Sequence, residues 1–423
     1  MLPPGEFLVL SFEDARHIVE EHAARVRRGE TEKVALGESD GRVLAEPVDA
    51  DRDFPPFSRA ARDGYAVRSS DLVRVPANLR VIAEIKAGTP PDEMPQSVLA
   101  GQAAAIMTGA PVPASADAVV MVEYTSSQSD RVEISRAVSA GENVVPGGSE
   151  ARKGDLLLGP GSYLDEAAIA VCASVGRTCL EVFAKPKVAI LSTGDEVVGV
   201  DVVPGPHQIR NSNSYSLAVQ VRAAGAKPVL LPIAPDEPKR LRDLIESGLK
   251  ADLLLLAGGV SMGKYDLVEQ VLADLLAEFF FTGAQIQPGR PIVFGRVPRA
   301  AEASDHLGAR PDSYFFGLPG NPVSTMVTFD LFARPFIEAL AGRAPRKLRF
   351  VQARLKAAIK TRTGLKRFLP GILSGEFEAT EVELAPWHGS GDIAATTRAN
   401  CYVVIPPDRE QIPAGEWVPV FLR

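Results

Sequence analysis

Polar, glycine-containing loops follow three apolar stretches in the middle of the chain. The first loop reads Ser192-Thr193-Gly194-Asp195-Glu196. Glycine allows a tight turn there, and the hydroxyl groups and backbone amides can reach an anion. Asp195 and Glu196 are adjacent carboxylates, whose oxygen atoms suit a hard cation such as Mg²⁺. An ordinary polar turn would contain the same residues, so this loop alone leaves both interpretations open.

The second loop covers residues 257–266 and contains Gly258, Gly259 and Ser261 before a predicted helix. Its glycines let the backbone approach a phosphate group closely. Asp266 lies where the helix begins, and there it could bind a cation or cap the helix. The loop therefore indicates a phosphate site. Asp266 could serve either as a cation ligand or as a helix cap.

The third loop reads Leu-Pro-Gly-Asn-Pro over residues 318–322. Proline in the first helical turn leaves free backbone amides at the positive end of a helix, and such an end attracts anions. An ordinary strand-to-helix turn is the alternative. Because ligands of open parallel sheets bind at the carboxyl ends of the strands, three such loops in one sheet predict a site for a phosphorylated ligand.

Two further positions carry polar groups that could act on a ligand. Asp63-Gly64 opens a β-prone stretch, and Thr108 follows another one. Asp-Gly is a common turn sequence, so Asp63 is about as easily a turn residue as a functional one. Thr108 could contact a ligand or cap its own turn.

An alternation of apolar strands and amphipathic helices must position the three loops. Near-continuous apolar strands are typical of a sheet covered on both faces, so residues 185–344 are predicted to form a doubly wound, mostly parallel α/β sheet. The predicted elements are strands Lys187–Ser192, Lys227–Ile233, Asp252–Ala257 and Tyr314–Leu318, a strand pair near Gln285–Val297, and helices Asn211–Gly225, Pro238–Gly248, Leu267–Phe280 and Pro322–Leu340.

Three other regions flank this α/β domain. Residues 51–140 contain short β-prone runs with turn signals between them and predict a β-rich inserted domain. Residues 345–423 predict a small C-terminal β domain. Residues 1–50 and 141–184 together predict an N-terminal helical and linker domain, with helices Ser11–Arg28, capped by Ser11, and Leu164–Gly176.

Composition excludes several classes of function. The net charge is −7, without the basic stripe of a nucleic-acid-binding surface. The 3 cysteines and 5 histidines show no spacing of a disulfide framework or zinc site. No Walker loop or dinucleotide fingerprint follows the first strand. With neither a signal peptide nor a membrane-spanning stretch in the sequence, we expect a cytoplasmic protein that binds neither membranes nor nucleic acid.

Taken together, the motifs closely resemble the molybdopterin molybdenumtransferases, the bacterial MoeA family related to the E domain of gephyrin. The resemblance runs over nearly the whole chain. The matching segments are residues 53–58, 63–66, 107–111, 192–196, 208–213, 258–261, 288–289, 318–322, 389–391 and 399–400.

The resemblance implies an activity and an assembly. Members of the family insert molybdate into adenylylated molybdopterin, with Mg²⁺-dependent release of AMP, and so form molybdenum cofactor. They are elongated homodimers with four domains, and the active site lies between the α/β domain of one subunit and the β-rich domain of the other. The pterin-adenylylating enzyme and molybdoenzyme chaperones are further expected partners.

The resemblance also assigns roles to residues. Asp63, Thr108, Asp195, Glu196 and Asp266 are expected around the reacting phosphates, with Asp195, Glu196 and Asp266 as Mg²⁺ ligands. The residues expected to bind the nucleotide, the pyrophosphate or the pterin are Thr193, Gly258, Gly259, Ser261, Pro288, Gly289, Arg290, Pro319, Gly320, Asn321, Pro322, Ser324, Arg367 and Ser390.

The chain departs from the family pattern at three places. Gln287 stands where a lysine or arginine is usual, Arg62 replaces an apolar residue before Asp63, and the segment around Val145 lacks its usual arginine and one carboxylate. Fewer cations near an anionic ligand would weaken its binding. The departures leave three alternatives to the molybdate enzyme: a tungstate-preferring relative, a non-catalytic scaffold or binding protein, and a pterin-adenylylating relative.

Overall fold

The structure is a computed structural model that describes residues 8–26, 29–259, 267–298, 312–376 and 379–423. Ser261 and Asp266, two of the predicted site residues, lie outside the described residues. Within the described ranges, no helix has the length and apolar character that a membrane-spanning segment requires.

A six-stranded sheet forms the centre of the α/β unit. Its strands in spatial order are Lys227–Leu230, Lys187–Ser192, Leu253–Ala257, Ser313–Leu318, Val293–Val297 and Glu278–Phe281. Neighbouring strands among the first four run parallel, and Val293–Val297 is antiparallel to both of its neighbours. The prediction of a mostly parallel central sheet is confirmed.

Helices cover both faces of this sheet. They are Asn213–Ala223, Pro238–Gly248, Leu267–Asp274, Pro322–Thr328 and Arg334–Leu340, with the π-helical turn Phe329–Ala333 between the last two. Side chains of one strand alternate between the two faces. Ile190 and Leu255 enter one hydrophobic cluster, whereas Leu191 and Leu254 enter the other. The continuous apolar strands therefore support two separate cores, as a doubly wound fold requires.

The β-rich unit is a second six-stranded sheet. In spatial order its strands are Ala118–Met121, Gly64–Val67, Gln102–Ile106, Ala77–Ile85, Arg131–Ile134 and Thr125–Gln128. Two small hydrophobic clusters lie on its faces, one around Ile85 and Ile106 and the other around Leu79 and Val120. Short strands and small cores are what the frequent prolines and glycines of this region predict.

The N-terminal helix Phe12–Arg25 packs its apolar face on the α/β core. Ser11 caps it, because the Ser11 Oγ accepts a hydrogen bond from the Asp14 amide at 3.0 Å. The helix Glu166–Ser174 is capped in the same way by Asp165, which accepts from the Ala168 amide at 3.0 Å. The Ser11 cap agrees with the sequence analysis.

Short strand pairs complete this part of the chain and the connections. They are Thr31–Ala35 with Cys179–Phe183, Val48–Asp49 with Leu156–Leu158, Arg59–Ala60 with Val144–Val145, Val9–Leu10 with Gly283–Ala284, Val197–Val198 with Ile209–Arg210, and Ile359–Lys360 with Gln411–Ile412. Single turns of 3₁₀ helix lie at Leu36–Glu38, Ser69–Leu72 and Val122–Tyr124.

The C-terminal unit is a small closed barrel with the short helix Ile393–Thr396. Its strands in order are Lys366–Ser374, Glu381–Leu384, Phe350–Leu355, Trp417–Leu422 and Cys401–Ile405, and the last pairs back to the first. A further strand, Ile286–Gln287, comes from the α/β part of the chain and pairs in parallel with Lys366 and Arg367. The barrel is therefore attached directly to the α/β unit.

Two sequence predictions in the α/β unit are wrong. The helix predicted over Leu267–Phe280 ends at Asp274, because Leu276 has a φ of 61° and the aromatic run that follows forms the strand Glu278–Phe281. The strand pair predicted near Gln285–Val297 does not form. Val293–Val297 pairs with Glu278–Phe281 and Ser313–Leu318, whereas Ile286–Gln287 joins the barrel.

Candidate functional site

The three predicted loops leave neighbouring strands at the same edge of the sheet. Ser192 is paired with Ala257, and Ala257 with Leu318, so the three strands end side by side. Backbone hydrogen bonds continue past the strand ends, from the Thr193 amide to the Ala257 carbonyl at 3.2 Å and from the Gly258 amide to the Leu318 carbonyl at 3.1 Å. The carboxyl ends therefore form one continuous platform, where open parallel sheets bind their ligands.

The described start of the second loop, at Gly258 and Gly259, packs against the first loop. Gly258 and Gly259 have φ angles of 96° and 64°, in the region that favours glycine. A Cβ atom on Gly258 would lie 2.9 Å from the Thr193 carbonyl oxygen, and one on Gly259 would lie 2.7 Å from the Thr193 Oγ1. Side chains at either position would separate the loops. Thr193 itself is 3% exposed, and its Oγ1 has no hydrogen-bond partner among the described residues.

Asn213 holds the third loop in place. Its Nδ2 donates a hydrogen bond to the Gly320 carbonyl oxygen at 2.8 Å, across 107 residues of sequence. A neighbouring hydrogen-bond network joins hydroxyl and amide groups of Ser192, Asn211 and Ser214 at the start of helix Asn213–Ala223. Its donor–acceptor distances are 2.8 to 3.1 Å. The sequence analysis used Asn213 only as part of a family motif and missed this contact.

We expect Asn213→Ala to weaken binding of a nucleotide ligand such as AMP by roughly tenfold, because the Gly320 peptide loses its side-chain donor. Isothermal titration of AMP into the wild type and the variant measures this change. Asn213→Gln is the matched control, because it retains the amide on a longer side chain and should recover part of the affinity. Equal AMP affinity in all three proteins would contradict the positioning role of Asn213.

The helix start after the third loop also contacts the C-terminal barrel. The Val323 amide in the first turn of Pro322–Thr328 donates to the Ser390 carbonyl oxygen at 3.0 Å. The Thr325 Oγ1 donates to the Pro319 carbonyl at 2.5 Å, and Ser324 is buried. One of the amides that the sequence analysis left free for an anion is therefore occupied, and Ser390 lies beside the third loop.

Asp195 and Glu196 are exposed at the end of the first strand. The Asp195 Oδ1 accepts a hydrogen bond from the Asp236 amide at 3.0 Å. Burial, and then the like charge of Asp195, raise the pKa of Asp236 above its ordinary value. Asp236 follows a neighbouring strand of the same sheet and was missed in the sequence analysis. A bound cation would reduce the repulsion among these carboxylates, which fits a hard metal ion.

The described residues contain no group of three or more histidine, cysteine, aspartate or glutamate side chains arranged to hold a metal ion. Asp266 lies outside the described residues and is therefore not among these side chains. Mg²⁺ typically uses one or two protein carboxylates and takes its remaining ligands from water and substrate phosphates. Asp195 and Glu196 are two adjacent carboxylates of the kind that such a site uses.

The segment Pro288–Arg290 lies where the barrel meets the α/β unit. Pro288 and Gly289 are buried, and Arg290 is exposed. Gly289 has a φ of 102°, and a Cβ atom there would lie 2.3 Å from the Thr328 Cγ2. The backbone of Gln287 pairs with Arg367, so the two basic side chains of Arg290 and Arg367 belong to adjacent segments.

Arg367 is 6% exposed, and its Nη1 donates only to the Leu365 carbonyl at 3.0 Å among the described residues. Burial, and then the positive charge of Arg362, lower the pKa of Arg367 from its ordinary value. A buried guanidinium without a carboxylate partner is stabilised by an anion. This environment suits the predicted contact of Arg367 with an anionic ligand.

Asp63 and Thr108 come together in the β-rich sheet. The Thr108 amide and hydroxyl both donate to the Asp63 Oδ1, at 2.6 and 2.7 Å. These two hydrogen bonds lower the pKa of Asp63 below its ordinary value. Both side chains are exposed, and within the described chain their hydrogen bonds stay inside their own sheet. Asp63 therefore presents an ionised carboxylate at the surface.

Comparisons with known proteins identify the family. Three family profiles match in order: "MoeA N-terminal region (domain I and II)" over residues 10–176, "Probable molybdopterin binding domain" over 189–339, and "MoeA C-terminal region (domain IV)" over 352–422. A protein of Nostoc sp. named molybdopterin molybdenumtransferase is 35% identical over 92% of this chain and 87% of its own length. The Bacillus subtilis protein of that name is 32% identical over 94% and 90%, respectively.

Solved structures agree with this assignment. The crystal structure of the molybdopterin biosynthesis MoeA protein from Pyrococcus horikosii is 31% identical and superposes with a TM-score of 0.68, over 98% of this chain and 99% of that one. A second crystal structure, of the molybdopterin biosynthesis MoeA protein from Pyrococcus horikoshii OT3, is 27% identical with a TM-score of 0.75, over 98% of this chain and 100% of that one. The multi-domain fold and the family predicted from the motifs are both confirmed, and the chain belongs to the molybdopterin molybdenumtransferase family.

Proposed function

We propose that this chain inserts molybdate into adenylylated molybdopterin and releases AMP in a Mg²⁺-dependent reaction. The observation that carries the proposal is the meeting of the three strand-end loops beside Asp195 and Glu196. Backbone amides and a helix start suit the phosphates of the substrate, and the carboxylates suit the cation. Family membership makes the chain a transferase of molybdenum cofactor biosynthesis.

Different groups of the described residues would bind the phosphates, the cation and the pterin. Gly258 and Gly259 let the second loop pack against Thr193, and the helix start that follows Gly320 would offer backbone amides to the phosphates. Asp195 and Glu196 would hold Mg²⁺, with Asp236 beside them. When bound, the ion neutralises negative charge on the phosphoanhydride and stabilises the leaving AMP. Arg290, Arg367 and Ser390 offer cationic and hydroxyl groups to the pterin and molybdate side.

Asp63 and Thr108 act from a second copy of the chain in this proposal. The protein is then a homodimer in which the β-rich unit of one subunit faces the strand-end loops of the other. The exposure of both side chains, and hydrogen bonds that stay within their own sheet, support this arrangement. The four units act as domains with the predicted boundaries, residues 1–50 plus 141–184, 51–140, 185–344 and 345–423.

Complementation between inactive variants tests the shared site. In a mixture of Asp63→Ala and Asp195→Ala subunits, half of the dimers contain both variants, and each of these has one intact site. We therefore expect roughly a quarter of wild-type AMP release from a statistically mixed population. Each variant alone should be inactive. A mixture that stays inactive although heterodimers form would place Asp63 and Asp195 in the same subunit's site.

The main experiment is incubation of the purified protein with adenylylated molybdopterin, Mg²⁺ and molybdate. AMP release that requires both Mg²⁺ and molybdate supports the proposal. AMP release with tungstate but not with molybdate would identify a tungstate enzyme. This alternative is tested because Gln287 replaces the basic residue that is usual in the family. Consumption of ATP with free molybdopterin would instead indicate pterin adenylylation, and no release under any of these conditions would indicate a scaffold.

A further inference from the structure

A cavity lies at the end of the α/β sheet opposite the three loops. It has a volume of about 270 Å³ and is lined by residues 40–43, 163 and 183 of the N-terminal region and by residues 185, 222–225, 338, 341 and 343 of the α/β unit. Lys185 and Gly225 come just before the first residues of strands Lys187–Ser192 and Lys227–Leu230. This junction cavity is therefore separate from the site proposed for the transferase reaction.

The junction cavity is positively charged. Four cationic side chains and two acidic ones line it, which leaves an excess of two positive charges in a chain whose net charge is −7. The cations are Arg42, Lys185, Arg222 and Arg343, and the acids are Asp40 and Glu338. A local excess of this sign, against the charge of the whole protein, attracts anions.

Existing partners neutralise only part of this charge. The Arg42 Nη2 is 2.5 Å from a Glu32 carboxylate oxygen, so this cation is paired. The Glu338 carboxylate is held from outside the cavity by Arg346, with nitrogen–oxygen distances of 2.6 and 3.0 Å. Within the described residues, Lys185 and Arg222 have no carboxylate partner within 4.0 Å. Two cations facing the cavity therefore remain available.

Arg343 adds a third, weakly compensated cation. Its nearest carboxylate oxygen, on Glu338, is 3.6 Å away, and its guanidinium carbon lies 4.1 Å from the centroid of the Tyr163 ring. Burial lowers the pKa of Arg343 from its ordinary value, and the charge of Glu338 opposes this shift only in part. Arg343 shares the Glu338 carboxylate with the closer Arg346, so a bound anion would stabilise this half-buried cation further.

The negative C-terminal ends of two helices offset some, but not all, of the positive charge of the cavity. Helices Asn213–Ala223 and Arg334–Leu340 both end beside the cavity, with Ala224 and Ala341 as C-terminal caps. Each helix end carries about half a negative charge. Two such ends offset about one of the two excess positive charges, so a net positive potential remains.

We propose that the junction cavity binds a small organic molecule that carries a phosphate group. Lys185, Arg222 and Arg343 would contact the phosphate, because guanidinium and ammonium groups together match a dianion. The cavity is close to the lower limit of about 300 Å³ for small-molecule pockets, which limits the ligand to a compact one. The Tyr163 ring provides an apolar surface for its organic part.

Titration of phenyl phosphate into the full-length protein tests this site by calorimetry. We expect the double variant Lys185→Ala/Arg222→Ala to bind phenyl phosphate at least ~10-fold more weakly than the wild type. Lys187→Ala/Lys227→Ala is the matched control. It removes the same charge from two exposed lysines that pair at the same end of the sheet but do not line the cavity. The control should bind like the wild type.

The outcomes separate the site from its alternatives. Unchanged affinity in the cavity variant, or no binding to the wild type, would overturn the proposal. Equal weakening in both variants would indicate general electrostatic attraction and would overturn it too. A lower melting temperature of the cavity variant with unchanged phenyl phosphate binding would mean that these cations only neutralise helix ends. Because the readout is binding, the result does not depend on the transferase activity.

Discussion

Asp63→Ala is expected to reduce AMP release by about a hundredfold or more while the protein remains folded. The Asp63 carboxylate is exposed and accepts two hydrogen bonds from Thr108 at 2.6 and 2.7 Å. The proposed reaction brings a dianionic oxyanion to a phosphoanhydride, and loss of a group that positions reactants at such a centre can cost about a hundredfold. The rate of AMP release, measured with adenylylated molybdopterin, Mg²⁺ and molybdate, checks this prediction.

Asp117 offers a close structural control in the same sheet. It is also exposed, and its carboxylate accepts hydrogen bonds from the amide and hydroxyl of Ser69 at 2.6 and 2.8 Å. Asp117→Ala therefore removes the same kind of turn interaction without touching the proposed site. We expect it to retain wild-type activity. Similar losses in both variants would mean that Asp63 only stabilises its turn.

The pH dependence gives a second readout of the same pair. The amide and hydroxyl of Thr108 lower the pKa of Asp63, so the carboxylate stays ionised to lower pH than an isolated aspartate. Thr108→Val keeps the amide donor and removes the hydroxyl. The pKa of Asp63 should then rise, and the acidic limb of the rate profile should move to higher pH. A profile identical to that of the wild type would contradict a role for ionised Asp63.

Much of the α/β unit could be predicted because its strands are continuous apolar runs. The ends of Lys187–Ser192 and Ser313–Leu318 lie where the polar and glycine residues begin, so the loops were located correctly. The segment after Asp274 was not predictable from periodicity alone. Its apolar residues continue a helical spacing, but pairing with Val293–Val297 makes a strand of Glu278–Phe281.

Contacts between distant segments explain what the sequence analysis missed at the site. Asp236 follows the strand Lys227–Leu230, and the strand-end argument applied to that strand would have found it. The contact of Asn213 with Gly320 had no comparable signal, because 107 residues separate the two positions. The same holds for the Ser390 carbonyl at the Val323 amide. The first contact depends on how distant segments pack within the α/β unit, and the second on how the barrel docks against that unit.

Asp330→Ala is expected to destabilise the α/β unit, together with its contact to the C-terminal barrel, by about 3 kcal/mol or less, because it removes the buried partner of an ion pair whose other member, Arg334, is partly exposed. Asp330 is 3% exposed and lies in the π-helical turn. Its Oδ1 accepts hydrogen bonds from Arg334 at 2.6 Å and from the Gln220 amide at 3.0 Å. The buried Tyr402 hydroxyl of the barrel donates to its Oδ2 at 3.5 Å. The variant leaves all three groups without this acceptor.

Tryptophan fluorescence during urea denaturation measures this effect selectively. The chain has 2 tryptophans, Trp387 and Trp417, and both belong to the C-terminal region. We expect the fluorescence transition of Asp330→Ala to move to lower urea concentration. Glu246→Ala is the control. It removes the carboxylate of an exposed pair with Arg242 at the same spacing of four residues and a distance of 2.9 Å, and such pairs contribute about 0.5 kcal/mol or less.

Docking of the barrel also bears on ligand binding, because the barrel carries Ser390 and Arg367. The Asp330 contacts and the Ser390–Val323 hydrogen bond lie on the same helical segment, Pro322 to Leu340. A barrel loosened at Asp330 should therefore hold Ser390 less firmly beside the third loop, and the affinity for AMP should fall together with the urea midpoint. Tyr402→Phe tests the weakest of these contacts and should change both quantities less. Loss of stability with unchanged AMP affinity would show that the third loop is organised without the barrel.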